Sequence, residues 1–141
     1  MKREPSRIRD ERSAGWVSLA DGIRLRPMVE GNGSSIILYR LEPGRRFERH
    51  DHPFPELSVI LVGRGRMVIG EEERALREGD AVYVPGGVRH GFEVGGKTPV
   101  VMMNVTVPVL PDLAGPAFAE VVRLAEKVAR SEGDPSVTSG H

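Results

Sequence analysis

The chain has 141 residues, of which 39% are hydrophobic and 28% are charged, as expected of one ordinary globular domain. Its 20 basic residues equal its 20 acidic residues, which argues against charge-driven binding to nucleic acid or to an anionic membrane. The chain contains no cysteine. Disulfides, iron–sulfur clusters and a thiol nucleophile are therefore excluded, and nitrogen and oxygen atoms must hold any metal.

The two ends of the sequence differ in composition from its middle. Residues 1–14 are strongly charged and lack an apolar segment, which predicts a flexible arm rather than a secretory signal. Residues 132–141 are polar and predict a disordered tail. No stretch approaches the roughly 18 apolar residues that a membrane-spanning helix needs, so we expect a cytoplasmic protein.

From Trp16 onward, short segments rich in β-forming residues alternate with turn signals such as Asp21-Gly22 and Pro43-Gly44. These signals recur about every 8 to 12 residues over most of the chain, which favours an antiparallel sandwich or barrel and hence an all-β fold class. The predicted strands cover residues 16–19, 23–26, 35–41, 56–63, 66–69, 74–77, 81–84, 91–94 and 99–107.

The pattern changes at Pro116, after which apolar residues recur at helical spacing. Pro116 suits the first position of a helix, and Gly133 lies just beyond the last periodic residue. The sequence therefore predicts a β-barrel over 15–113 followed by one amphipathic helix over 114–131. Such a helix would cover the outside of a sheet or pack on a partner.

The segment between Gly44 and Gly63 contains His50, His52 and Glu56. Residues two apart on a strand point to the same face, so the two imidazoles are expected to lie together. Two prolines then interrupt the strand, and Glu56 begins the next one. Two imidazoles and a carboxylate that converge in this way are a typical ligand set for a divalent metal with open coordination positions.

A fourth donor must come from elsewhere in the chain. Of the other two histidines, His141 ends the polar tail, whereas His90 follows a proline–glycine turn at the start of a strand. In a closed barrel, residues this far apart in sequence can still be in direct contact. His90 is therefore the remaining candidate.

The spacing of these residues resembles the two sequence motifs of the cupin superfamily. The first motif is matched by Gly44, His50, His52, Glu56 and Gly63, with five, one, three and six residues between them. The second is matched by Gly79, Pro85, Gly87 and His90, with five, one and two residues between them. Its final asparagine is replaced by Val94, a position that is not a metal ligand in the family.

The resemblance implies a jelly-roll barrel (a double-stranded β-helix) of six to eight antiparallel strands with a metal ion inside. Carried over residue by residue, the ligands are His50, His52, Glu56 and His90. These four donors leave two positions of an octahedron open. Iron or manganese suits such a site somewhat better than zinc, which prefers four ligands, and nickel, cobalt and copper are further alternatives.

Four residues are candidates for substrate contacts, with core filling as the alternative for the apolar ones. Phe92 has the same strand parity as His90, and Ser58 has the same parity as Glu56, so both are expected to face the interior. Asn104 lies among apolar residues and needs a partner if it is buried. Tyr83 is a candidate acid–base group, with Glu48 as the alternative.

These features favour a metal-dependent enzyme that acts on a small, moderately hydrophobic organic substrate, with dioxygenase-type oxidation as the preferred reaction class. One alternative is non-redox chemistry by an isomerase, a lyase or a polyketide cyclase, as other small cupins perform. Another is a module that binds a small ligand without turnover. Cupins commonly dimerise, and the apolar segment near Trp16 and the helix are candidate contacts, so we also expect a homodimer.

Overall fold

The computed structural model describes residues 15–109, 115 and 117–133. These residues form ten β-strands and one helix, and they divide into two units, of which the first ends at Val109 and the second contains the helix. The arm predicted over 1–14 lies outside the described residues, as does the predicted tail from residue 134 onward.

All strand pairings in the first unit are antiparallel. The strands are β1 (Val17–Ala20), β2 (Ile23–Gly31), β3 (Ser34–Leu41), β4 (Arg46–His50), β5 (Glu56–Val62), β6 (Arg64–Ile69), β7 (Glu72–Arg77), β8 (Ala81–Val84), β9 (His90–Val94) and β10 (Val100–Thr106). They form a six-stranded sheet in the order β1-β2-β3-β10-β5-β8 and a four-stranded sheet in the order β4-β9-β6-β7.

This arrangement is the all-β jelly-roll barrel that was expected. The ten strands exceed the six to eight that the family resemblance implied, because the short edge strands β1 and β7 extend the two sheets. The chain crosses between the sheets repeatedly, so strands that are distant in sequence become neighbours; β10, for example, pairs with both β3 and β5. This crossing lets the two histidine motifs meet.

The hairpin between β2 and β3 is tighter than the sequence pattern indicated. The predicted loop over 31–34 contracts to the two residues Asn32 and Gly33, whose φ angles are 50° and 82°, because Gly31 and Ser34 pair as strand residues. Two consecutive positive φ angles match the twist of the flanking strands, and Asn-Gly adopts them readily. β2 also continues past Pro27, where a bulge accommodates the missing backbone donor.

The helix α1 extends from Phe118 to Gly133, whereas the sequence pattern placed it at 114–131. Glu120 lies in its first turn and Arg130 in its last, and both charges are favourable for the helix dipole. Within the described part of the chain, no helix is both long enough and apolar enough to cross a bilayer.

The core lies between the two sheets, where strand alternation directs every second side chain inward. Leu41, Val84 and Val100 are completely buried, and Leu41 is paired with Val100 across β3 and β10. Further along the same strands the inward positions become polar, with Ser35 opposite Thr106, and Thr106 opposite Glu56. One end of the space between the sheets is therefore filled by apolar side chains, and the other end is available for a site.

Candidate metal centre

The four residues that the cupin motifs single out come together at the ends of three strands and in the connection between two of them. His50 ends β4, His90 begins β9 and Glu56 begins β5, and His50 and His90 are direct partners in the antiparallel register. One ligand atom from each of the four residues, His52 included, lies within 4.8 Å of the others. This cluster could hold a metal ion.

His52 does not lie on the same strand as His50, contrary to expectation. β4 ends at His50, and His52 lies in the connection to β5, which contains the two prolines. The His52 ring is held there by stacking on Phe54, with ring centroids 4.1 Å apart and an interplanar angle of 8°. Its position is therefore set by the loop and by an aromatic contact, rather than by strand parity.

Backbone carbonyls determine the tautomer of all three imidazoles. The Nδ1 atoms of His50, His52 and His90 lie 2.7, 2.7 and 2.8 Å from the carbonyl oxygens of Glu48, Phe54 and Val88. A carbonyl oxygen can only accept, so each Nδ1 carries a proton and donates it. In the neutral imidazole each Nε2 is then left with a lone pair, which is the form in which imidazole binds a metal.

The carboxylate of Glu56 lies among these lone pairs. Its Oε1 is 2.8 Å from His90 Nε2 and 3.0 Å from His52 Nε2, and Glu56 and His90 are only 5% and 3% exposed. When the imidazoles are neutral with their protons on Nδ1, these close approaches bring acceptor against acceptor. A divalent cation among the four groups would turn these repulsive contacts into coordination, so the donor set fits such an ion.

The second carboxylate oxygen of Glu56 is held by a neighbouring strand. Asn104 Nδ2 on β10 donates to Glu56 Oε2 at 2.8 Å, and Ser58 Oγ on β5 donates to Asn104 Oδ1 at 3.0 Å. Asn104 is half-buried in an otherwise apolar strand, and these two contacts are its hydrogen-bond partners. It is hydrogen-bonded at both ends of its amide.

A cavity of about 320 Å³ opens beside the cluster, a size typical of small-molecule sites. Most of its lining is apolar or aromatic, with a polar edge formed by Ser35 and Thr106, whose hydroxyls hydrogen-bond to each other. The lining comprises Ser35, Ile37, Tyr39, Phe47, Phe54, Ser58, Met67, Gly91, Phe92, Met102, Asn104 and Thr106, together with the four residues of the cluster.

Three of the four predicted substrate contacts line this cavity, namely Phe92, Ser58 and Asn104. Tyr83 does not, because β8 alternates: Val82 and Val84 point inward, and Tyr83 lies on the outer face with 56% of its surface exposed. The structure therefore places Tyr83 away from the cluster and gives it no position from which to exchange a proton there.

Tyr39 is the phenol that the cavity does contain, and the sequence reasoning missed it. Its ring packs edge-on against Phe47 with centroids 5.1 Å apart. Burial, and secondarily the negative charge of Glu56, raise the pKa of the Tyr39 phenol above its usual 10.0. The alternation of Tyr39 with the charged Arg40 in a β-rich segment was the signal that could have identified it as an inward residue.

Comparison with known proteins agrees with this geometry. The sequence profile of the cupin domain matches residues 37–106. A Streptomyces coelicolor protein is 35% identical over 72 residues, which are 51% of this chain and 68% of that protein. Dimethylsulfoniopropionate lyase DddW of Ruegeria pomeroyi is 32% identical over 57% of this chain and 50% of the lyase. Polyketide synthase CurC of Streptomyces cyaneus is 28% identical over 79% of this chain and 78% of that protein.

Solved structures show the same fold. An RmlC-like cupin from Shewanella frigidimarina superimposes with a TM-score of 0.68 at 15% identity, over 80% of this chain and all of that one. Salicylate 1,2-dioxygenase from Pseudoaminobacter salicylatoxidans superimposes with a TM-score of 0.57 at 19% identity, over 63% of this chain and 26% of the dioxygenase. The chain belongs to the cupin superfamily.

Replacing His90 by alanine removes one of the two most deeply buried donors of the cluster. We expect the affinity for Mn²⁺ to fall by more than about 100-fold, because even a residue that only supports a metal ligand is worth about 10- to 100-fold. Equilibrium dialysis with metal analysis measures this change. Arg89→Ala is the matched control, since Arg89 is the exposed neighbour of His90 in sequence. Equal Mn²⁺ affinity in H90A and R89A would contradict the proposed ligand set.

Tyr39 should also be visible in an alkaline titration. In the metal-free protein we expect one tyrosine to ionise above pH 10, because its pKa is raised by burial and by Glu56. The unfolded chain releases this proton near pH 10, so the free energy of unfolding decreases as the pH rises through the folded-state pKa. Ultraviolet difference absorbance follows the ionisation. The ionisation above pH 10 should be absent in Tyr39→Phe and present in Tyr83→Phe. Its persistence in Y39F would refute the assignment of the raised pKa to Tyr39.

Proposed function

We propose that this protein is a metal-dependent enzyme that acts on a small organic molecule. The observation that carries the proposal is the convergence of three Nε2 lone pairs and one buried carboxylate oxygen beside a largely apolar cavity. A histidine and carboxylate cluster built only for stability would be expected to pair its donors with acceptors. With neutral imidazoles, the ring protons are used on the outside of the cluster, and acceptors face one another within it.

His50, His52, Glu56 and His90 would hold one divalent ion, for which we propose iron or manganese, with nickel, cobalt, copper and zinc as alternatives. When bound, the ion would supply Lewis acidity, or redox chemistry if it is iron, to a substrate at the open coordination positions. His50 is exposed and His52 is half-buried, whereas the other two ligands are buried. The open side of the cluster is therefore reached past these two residues.

The residues of the cavity support a substrate with an apolar body and one or more oxygen groups. Phe47, Phe92 and Met102 offer apolar contact surface, and the hydroxyl of Tyr39 offers a hydrogen bond. The pKa of this phenol is raised above its usual 10.0, so it is protonated at neutral pH, as an ordinary phenol also is, and can act as a donor. We propose that it orients the substrate, or protonates it, in the role that the sequence reasoning had given to Tyr83.

Dioxygenase-type oxidation is the first reaction class that we propose. It is supported by the apolar lining and by the four-donor cluster, which leaves two positions of an octahedron open. Phenolic or catecholic substrates would fit this chemistry, because aromatic side chains such as Phe47 and Phe54 lie beside the cluster.

Non-redox chemistry is the second candidate, and the sequence relatives favour it. One of them is named a lyase and another a polyketide synthase, and the latter aligns over most of both chains. A lyase or cyclase needs a proton donor close to the metal, and Tyr39 could serve as one. A protein that binds such ligands without turnover is the remaining alternative.

Dioxygen dependence separates these functions. We expect iron-loaded protein to consume oxygen with at least one member of a panel of catechols, flavonols and salicylates, as followed with an oxygen electrode. Tyr39→Phe should slow turnover by about 10- to 100-fold, which is the value of one hydrogen bond to a developing charge. Tyr83→Phe, on the outer face, should not change it.

Turnover that persists without oxygen in the zinc-loaded protein would instead establish the non-redox class. Tight ligand binding without any product under either condition would contradict the enzymatic proposal. A wild-type protein that retains no divalent metal after dialysis would contradict the metal site itself.

We also propose that the protein forms a homodimer through the β1 edge of the six-stranded sheet. Val17 and Leu19 on this edge strand are 55% and 52% exposed, and Trp16 precedes them with 36% of its surface exposed. In the described part of the chain this edge pairs with no further strand, and exposed apolar residues on such an edge are typical of a surface that another chain covers.

Light scattering should give a mass of twice the 15.4 kDa of one chain at micromolar concentration. Val17→Lys combined with Leu19→Lys should produce the monomer, because charge on an edge strand opposes edge pairing. Leu61→Lys, at an exposed residue of the interior strand β5 in the same sheet, is the matched control. A monomeric wild type would disprove the dimer and leave the metal site unaffected.

A further inference from the structure

Asn104 is the one amide on the inward face of β10, between the buried Met102 and the hydroxyl of Thr106. An isolated amide in an otherwise apolar strand costs free energy unless its donor and acceptor groups find partners. Both ends of the Asn104 side chain are satisfied, and by different residues. Because one of those partners is Glu56, the amide can also affect the orientation of that carboxylate.

The register of the sheet determines which residues can reach Asn104. On β5 its direct partner is Ser58, and Glu56 is the diagonal neighbour two positions away on the same face. Diagonal pairs of this kind are within reach of extended polar side chains. Asn104 Nδ2 accordingly lies 2.8 Å from Glu56 Oε2, while Ser58 Oγ lies 3.0 Å from Asn104 Oδ1.

The orientation of this amide follows from the chemistry of its neighbours. A carboxylate oxygen can only accept, so the NH₂ end of Asn104 must face Glu56. The carbonyl end then faces Ser58, whose hydroxyl donates to it. Ser58 is 3% exposed and cannot readily exchange this partner for solvent. The chain Ser58–Asn104–Glu56 therefore has one direction, from hydroxyl to amide to carboxylate.

The two oxygens of Glu56 are consequently used for different purposes. Oε1 lies against the Nε2 atoms of His90 and His52, whereas Oε2 is turned toward β10 and is occupied by the amide. Building on the metal site proposed above, we propose that Asn104 is a positioning residue that restricts Glu56 to one coordinating oxygen, Oε1. A carboxylate held in this way leaves room at the ion for substrate.

Releasing Oε2 would let the carboxylate rotate and coordinate through both oxygens. The second oxygen would then occupy one of the two positions that three imidazoles and one oxygen leave open on an octahedral ion. Asn104 would thus affect the number of open positions without touching either the ion or the substrate. This role differs from the substrate contact that the sequence reasoning assigned to Asn104.

Mn²⁺ tests this role directly, because the relaxation of water protons reports how many water molecules exchange on the bound ion. We expect about two for the wild-type protein and about one for Asn104→Leu, so the bound-ion relaxivity should fall about twofold. Thr106→Val is the matched control, since Thr106 lines the same cavity on the same strand but hydrogen-bonds to Ser35. Its relaxivity should equal that of the wild type.

A second pair of variants guards against a folding defect in N104L. Ser58→Ala removes only the hydroxyl that orients the amide and should lower the relaxivity. Ser58→Thr keeps a hydroxyl at this position and should have the relaxivity of the wild type. Wild-type relaxivity in both N104L and S58A, each saturated with Mn²⁺ and folded by circular dichroism, would overturn the positioning role. A wild-type protein that binds no Mn²⁺ would overturn the metal site, and the positioning role with it.

Discussion

The buried carboxylate of Glu56 is the constraint on which the rest of the site depends. A carboxylate that is 5% exposed inside a β-barrel is costly unless its charge is compensated and its oxygens have partners. The fold places neighbouring groups beside each of the two carboxylate oxygens. Asn104 donates to one oxygen from β10, and the imidazoles of His52 and His90 surround the other at 2.8–3.0 Å. Neutral imidazoles present lone pairs there, so a metal ion among them would complete the compensation.

The jelly-roll topology makes this concentration of polar groups compatible with a stable core. Adjacent rows of inward side chains run across β3, β10 and β5, from the completely buried pair Leu41 and Val100 at one end to the polar row of Ser35, Thr106 and Glu56 at the other. The apolar end packs densely and holds the two sheets together. The polar end can then retain a cavity without loss of the fold, and the boundary between the two ends places an apolar wall beside the histidine and carboxylate cluster.

Most of the fold could be predicted from local sequence, and the differences have local causes. Alternating β-rich segments and turn residues identified the strands, because side-chain alternation and turn chemistry are properties of neighbouring residues. The strand predicted over 23–26 is shorter than β2, because a proline such as Pro27 commonly ends a strand. In the structure β2 continues past Pro27, because its pairing with β3 contains a bulge there. The pairing of β10 with both β3 and β5 was not predictable in this way, since it depends on how the chain crosses between sheets.

For the site, the sequence by itself determined which residues could ligate a metal, because His50, His52, Glu56 and His90 follow a family spacing. Strand parity further placed Ser58 and Phe92 on the interior. Alternation with Arg40 could have placed Tyr39 on an inward face, but the tertiary structure decided that this face lines the cavity and that Tyr83 lies on the opposite face of the same sheet. It also decided the partner of Asn104. That hydrogen bond joins β10 to β5, 48 residues apart, and cross-strand register is a property of the folded sheet alone.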